Sequence, residues 1–297
     1  MSAELESGYD LDTAAIRRAF DKASASYDAA AVLQAQVRSR MLSRLDLVEL
    51  KPRTVVDAGC GTGQGARALL RRYPACQVIA LDLSEGMLAK ARRQRHWLRT
   101  PLPLCADSAR MPLPDHSVDM VFSSLMMQWC NDLDGLFAEY RRILKPGGLL
   151  TFSTFGPDTL RELRQAWSAV DGFVHVSRFI DMHDIGDAKV RAGLAEPVLD
   201  VEHFRMTYSA LTDLMRDLKA IGASNAASGR RRGLTGRGRL RAVETAYEGF
   251  RHEGRLPATY EVVYGHGWGV AGAGRVKGPT ETVVAVGDIQ RLDRARG

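Results

Sequence analysis

From residue 13 to about 50, apolar side chains return with helical spacing. Ile16, Phe20, Ala23 and Tyr27 fall at i, i+4, i+7 and i+11, and Val32, Leu33, Val37, Met41, Leu42 and Leu45 continue a second stripe. This period predicts a helical N-terminal segment with one buried face. Residues 53–155 follow a different rule. Short apolar runs, Thr54-Val55-Val56, Val78-Ile79-Ala80-Leu81, Val118-Asp119-Met120-Val121-Phe122 and Leu149-Leu150-Thr151-Phe152, alternate with helix-patterned stretches at 64–72, 86–95 and 133–144.

Strand-helix-strand alternation with crossovers of that length predicts an α/β fold, a doubly wound parallel sheet covered on both faces. Lys145-Pro146-Gly147-Gly148 is expected to stop one helix and turn the chain into the next strand. Beyond 156 the pattern loosens. Helices are expected at 158–169, 181–192, 211–221 and 240–251, strands at 197–208 and 259–265, and a weakly ordered tail at 269–297. The chain thus divides into an N-terminal helical lid (1–50), a nucleotide-type core (51–156), a segment that completes the sheet and adds a helical cap (157–268), and the tail.

Composition narrows the class of protein. Of 297 residues, 45% are hydrophobic and 26% charged, which is the balance of a globular domain. No apolar run approaches the roughly 20 residues that cross a bilayer, and residues 1–12 lack the apolar stretch of a secretory signal. A cytoplasmic protein without a membrane partner is expected. Cys60, Cys76, Cys105 and Cys130 are scattered, with no Cys-x-x-Cys pair or histidine at ligand spacing, so reduced thiols and no metal site are expected. A net charge of +6 permits an acidic partner, and Arg230, Arg231, Arg232, Arg237, Arg239 and Arg241 crowd one stretch, 230–241.

The first strand runs into Asp57-Ala58-Gly59-Cys60-Gly61-Thr62-Gly63. Glycine there lets the backbone turn sharply and approach a ligand. Alone, such a turn serves several nucleotide cofactors or simply packs a helix. The Asp-x-Gly-x-Gly-x-Gly pattern resembles the first motif of class I methyltransferases, which implies S-adenosylmethionine as cofactor. Downstream acids extend the reading. Asp82, with Leu83 beside it, ends the second strand and suits both ribose hydroxyls; capping the helix near Glu85 is its alternative role. Asp107 suits the adenine amino group, or else orders a turn, and Met87 and Ser108 would line the adenine pocket. Trp129, in Gln128-Trp129-Cys130 after the fourth strand, faces the transferred methyl group as a dry wall, or packs on the next helix.

A sharper resemblance spans residues 16–268. Phe20-Asp21-Lys22-Ala23-Ser24-Ala25-Ser26-Tyr27-Asp28, Leu33-Gln34, Gln128-Trp129-Cys130, Thr154-Phe155-Gly156-Pro157-Asp158-Thr159-Leu160 and Gln165-Ala166-Trp167 resemble the malonyl-carrier-protein O-methyltransferases of biotin biosynthesis. So do His175-Val176-Ser177-Arg178-Phe179, Asp181-Met182-His183-Asp184-Ile185-Gly186-Asp187 and Leu256-Pro257-Ala258-Thr259-Tyr260-Glu261-Val262-Val263-Tyr264-Gly265-His266. Ser177 stands where asparagine is more usual, and nothing after Trp268 matches. The resemblance implies a Rossmann-like class I sheet and methylation of the free carboxylate of malonyl-acyl carrier protein, toward a pimeloyl chain.

Such a carboxylate is ionised at neutral pH and needs no general base. Brought into an apolar pocket it needs a partner. Arg178 is the expected clamp, with an ion pair to Asp181 or Asp184 as its alternative fate. Tyr27 is the second catalytic candidate, from a lid closing over both ligands. The 230–241 stretch would dock the acidic carrier or form a solvated loop; it lacks the interleaved aromatics that stack nucleic-acid bases. Two other readings stay open: a class I enzyme with another small-molecule acceptor, and a relative serving as an assembly factor or hydroxylase.

Overall fold

The structure is a computed structural model that describes residues 10–223, 225–227 and 236–270. Seven strands form one sheet in the order β3-β2-β1-β4-β5-β7-β6. They are β1 (Thr54–Ala58), β2 (Gln77–Asp82), β3 (Leu102–Cys105), β4 (Val118–Ser124), β5 (Leu144–Phe155), β6 (Ala195–Tyr208) and β7 (Leu256–Trp268). Strands β1 to β5 are mutually parallel, and β7 enters antiparallel between β5 and β6.

Neighbouring residues of a strand point to opposite faces, and the sequence exploits this. Val55, Met120 and Leu149 enter one core, with α3 (Val32–Arg44), α4 (Gln64–Arg72), α5 (Glu85–Ala91) and α7 (Arg161–Ser168). Val56, Val121 and Leu150 enter the other, under α6 (Leu133–Ile143) and α8 (Met182–Arg191). Burial on both faces explains why the parallel strands read as continuous apolar runs rather than alternating ones.

The N-terminal stretch is broken into α1 (Thr13–Ala23), the single turn α2 (Tyr27–Ala30) and α3. Asp12 caps α1 by accepting from the Ala15 amide. Two further helices complete the chain, α9 (Leu211–Ala220) and α10 (Arg237–Glu248). Two expectations need correction. Lys145-Pro146-Gly147-Gly148 does not interrupt the chain between helix and strand: β5 already begins at Leu144, and these residues occupy a register shift opposite β4, with Gly147 at φ +74°. Helix α10 starts three residues early, inside the basic stretch, because Gly236 is extended and lets Arg237 open the helix. The expected tail lies outside the described residues except for Gly269 and Val270, and the Gly269 amide and carbonyl pair with Gly148 and Gly147. Among the described residues no helix is long and apolar enough to cross a membrane.

One buried cation has no carboxylate partner among the described residues. Lys189 of α8 is fully buried, and its Nζ donates to the carbonyls of His266 (2.6 Å) and Val198 (3.2 Å), where β6 shifts register against β7. Burial lowers its pKa from 10.5 to about 8. The unfolded chain then binds more protons between pH 8 and 10.5, so this group's penalty is full below about pH 8 and is relieved as pH rises through that window. Comparing urea midpoints of wild type and Lys189→Met across that range should show the difference moving in favour of wild type. A constant difference would mean that Lys189 does not titrate there.

Candidate active site

The carboxyl ends of β1, β2 and β4 converge on the glycine turn. Gly59, Gly61 and Gly63 have φ of +73°, +53° and +84°, a region that L side chains rarely occupy. The Gly59 and Cys60 amides both donate to the Leu81 carbonyl at 2.9 Å, which ties the turn to β2. A Cβ on Gly59 would lie 2.3 Å from Met126 Cγ, whereas one on Gly61 would meet nothing within 4 Å. Gly59 is therefore glycine for packing, and Gly61 opens onto space.

That space is a cavity of about 530 Å³. Gly59, Gly61, Asp82, Leu83, Met87, Asp107, Ser108 and Trp129 all line it, together with Tyr27 from above. Asp82 accepts from the Gly61 amide through Oδ2 and from the Ser84 amide through Oδ1, both at 2.8 Å. Burial raises its pKa, against the lowering effect of those amides. Its helix-capping alternative falls to Ser84, whose hydroxyl accepts from Met87 N. Asp107 does order a turn, accepting from Ala109 N at 2.9 Å, and still faces the cavity. An acid at a strand end beside an open glycine turn, with buried Met87 and Ser108 beyond, fits a nucleoside with a charged tail.

Three expected residues stand elsewhere. Asp57 is buried behind the turn, its Oδ2 lacking a hydrogen-bond partner among the described residues, and a Cβ on Gly65 would come within 2.8 Å of that oxygen. Burial pushes its pKa up to about 7, opposed by the Arg38 charge. The Cys60 side chain packs into the core and its amide is bonded to Leu81, so it does not line the cavity, and burial followed by the Asp82 and Asp57 charges raises its thiol pKa. Arg178 is exposed and lines a separate, open cavity of about 650 Å³. Neither Asp181 nor Asp184 pairs with it: Asp181 caps α8 and accepts from His183, so Arg178 has no ion-pair partner among the described residues.

A third cavity, about 120 Å³ and mainly apolar, adjoins the first. It is lined by Leu33, Leu160, Phe179 and Tyr260 among others, and it shares Gln34, Trp129 and Phe155 with the first. Trp129 packs edge-on against Phe20 of α1 with centroids 5.2 Å apart, so it contacts the N-terminal segment rather than only the next helix. The Tyr27 pKa is pushed up to about 12 by burial and then by Asp82, so its phenol keeps its proton.

Sequence reasoning missed what holds the N-terminal helices down. Asp21 Oδ1 accepts from Ser84 Oγ (2.6 Å) and Gly86 N (2.9 Å), and Asp28 Oδ1 accepts from Thr62 Oγ1 (2.5 Å). Arg17 pairs with Glu85 at 2.9 Å. Both aspartates lie seven residues apart in a quoted segment, yet only the fold shows that they grip the glycine turn and α5. At the far edge of the sheet, Asp158, His203 and Glu261 bring ligand atoms within 4.8 Å of one another, but Asp158 is paired with the Arg161 guanidinium at 3.3 Å.

Comparison with known proteins follows these lines. The Methyltransferase domain family matches residues 56–152. A malonyl-[acyl-carrier protein] O-methyltransferase from Methylovorus sp. (strain MP688) is 57% identical over 266 residues, 88% of this chain and 90% of that one. Its counterpart from Laribacter hongkongensis is 53% identical over 90% of this chain and 92% of its own. Among solved structures, the YcgJ protein of Bacillus subtilis superposes with a TM-score of 0.57 at 14% identity, covering 78% of this chain and 98% of that one. A SAM-dependent methyltransferase from Thermotoga maritima gives 0.51 at 18% identity, covering 85% and 99%. These structural likenesses concern the fold.

Proposed function

The chain belongs to the malonyl-[acyl-carrier protein] O-methyltransferases, and from that premise we infer how its residues methylate the free carboxylate of a malonyl thioester on acyl carrier protein. The observation that carries this acceptor is the reach of the likeness: it covers about nine-tenths of both lengths, well past the methyltransferase domain at 56–152. The alternative acceptors and the non-transferring relatives lose their footing for the same reason.

S-adenosylmethionine supplies the electrophilic methyl group. Asp82 holds the ribose hydroxyls with the lone pairs its two backbone amides leave free. Leu83, Met87, Asp107 and Ser108 would surround the adenine, and the Gly59 and Gly61 backbone would face the methionine end, with Cys60 tied to Leu81 between them. Asp57 lies buried beneath the turn with one oxygen unpartnered among the described residues, and would add negative charge on that side when ionised. A malonyl carboxylate oxygen bonds to the methyl carbon, the carbon–sulfur bond breaks, and its electron pair stays on sulfur. No proton moves, so the protein's part is orientation and exclusion of water. Tyr27, protonated and under the N-terminal lid, donates a hydrogen bond from above, and Trp129 walls the transfer path. Arg178, exposed and without an ion-pair partner among the described residues, stands beside Phe179 of the apolar cavity and captures the incoming carboxylate. Exposed Arg237 and Arg241 on α10 offer the acidic carrier a docking surface; Arg230, Arg231 and Arg232 lie outside the described residues.

Incubation with S-adenosylmethionine and malonyl-carrier protein should yield a carrier heavier by one methyl group, converted back by mild ester hydrolysis. No ester from cofactor-binding protein would remove this reading. Arg178→Ala should lower kcat/KM for malonyl-carrier protein by about 10- to 100-fold, the range for a lost charged hydrogen bond, with cofactor affinity unchanged. Parallel loss of both would assign Arg178 a structural role.

A further inference from the structure

Gln128 is common to the linings of all three cavities: the cofactor space, the apolar chamber and the open cleft that carries Arg178. It sits in a one-turn 3-10 helix at Met127–Trp129, which begins three residues after the last residue of β4. Its side chain is held at both ends. Nε2 donates to the Leu125 carbonyl at 2.6 Å, and Oε1 accepts from Thr154 Oγ1 at 3.2 Å. A carbonyl can only accept, so the first bond fixes which end of the carboxamide is nitrogen. Leu125 itself is left-handed, at φ +52°, and its amide is secured on Ser153. The Gln128 carboxamide is therefore anchored on a rigid turn rather than swinging freely.

One Nε2 proton is used on Leu125, and the second has no acceptor among the described residues. Beside it, Gln34 of α3 lines both the cofactor cavity and the apolar chamber, and it too lacks a hydrogen-bond partner among the described residues. Two neutral amides thus border the passage between donor and acceptor spaces, while Arg178 remains in the outer cleft.

We propose that the free N–H of Gln128 binds the spectator oxygen of the acceptor carboxylate, turning the other oxygen toward the methyl group, with Gln34 as a second neutral donor across the passage. The proposal rests on the carboxylate-methylating reading above. A neutral amide is suited to this step. It satisfies a carboxylate oxygen as it leaves water, and it withdraws less electron density than a tight guanidinium pair, so the attacking oxygen keeps its nucleophilicity. Arg178 captures the charge at the rim, and Gln128 orients it at the point of reaction.

The test uses the full chain with malonyl-carrier and acetyl-carrier protein, the latter lacking the carboxylate. Wild type should bind malonyl-carrier more tightly. Gln128→Leu should lower kcat/KM for malonyl-carrier by about 10- to 100-fold, narrow the malonyl-to-acetyl binding ratio by a similar factor, and leave cofactor affinity within about two-fold. A structural keystone would cost cofactor affinity and leave the ratio intact, which overturns the proposal, as does unchanged turnover. Should Gln128→Leu misfold, Gln34→Leu carries the test, because its amide has no structural partner to lose. It should narrow the same ratio, and an unchanged ratio overturns the proposal. If wild type itself makes no ester, the function reading has failed; if it does and the ratio holds, only Gln128 has.

Discussion

Asp82→Ala should weaken binding of S-adenosylmethionine, or of its demethylated product, by about 100- to 10,000-fold. Two charge-assisted bonds to ribose are lost at about 1.5–3 kcal/mol each, and every 1.4 kcal/mol is a factor of ten. A further loss comes from the protein itself. The Gly61 and Ser84 amides that now end on this carboxylate are left without their acceptor, and the glycine turn keeps only its Gly59 and Cys60 bonds to Leu81 of β2. Asp82→Asn keeps one acceptor oxygen and should fall between wild type and alanine. Calorimetric titration with S-adenosylhomocysteine reads all three directly. An affinity within five-fold of wild type for the alanine variant would remove Asp82 from the ribose site.

A larger effect on stability is expected at Gly63, where alanine should lower the unfolding free energy by about 2–4 kcal/mol and the melting temperature by roughly 5–15 °C. Two costs add. The residue sits at φ +84°, which a side chain resists, and the new Cβ would lie 2.7 Å from the Ala91 Cα, a backbone atom at the end of α5 that cannot rotate away. Gly61→Ala is the informative companion. Its Cβ meets nothing, so it carries only the conformational cost, but it projects where a ligand would sit. It should be milder in melting temperature and, through that intrusion, severe in cofactor affinity. Similar melting temperatures for the two variants would show that the contact with α5 is not what requires glycine at 63.

These contrasts explain what could be read from the chain. The glycine turn was legible because backbone conformation and residue type are tied locally: only glycine occupies three left-handed positions within five residues at low cost. Asp82 was legible because a strand's end marks a sheet's ligand-binding edge. Residues whose roles depend on distant partners were not. Asp21 meets Ser84 across 63 positions, and Asp28 meets Thr62 across 34. No periodicity in the sequence encodes either pairing. Arg178 stands among acids in the sequence, yet Asp181 is committed to its helix end, which leaves the arginine at the rim without an ion-pair partner among the described residues. The acceptor, unlike the cofactor, became clear only through relatives alike over nearly the whole length.

The insertion of β7 between β5 and β6 sets an order on synthesis. Residues 54–155 contain the five parallel strands, so the methyl-donor half can assemble from contiguous chain as it leaves the ribosome. Its last strand, β5, is buried on both faces and waits with one hydrogen-bonding edge open until residues 256–268 arrive, about a hundred residues later. At roughly 5–20 residues per second that gap lasts about 5–20 s, during which an apolar edge is available to other chains. The growing protein thus acquires a place for its methyl donor well before it has a chamber for the acceptor, and its most aggregation-prone moment falls between the two.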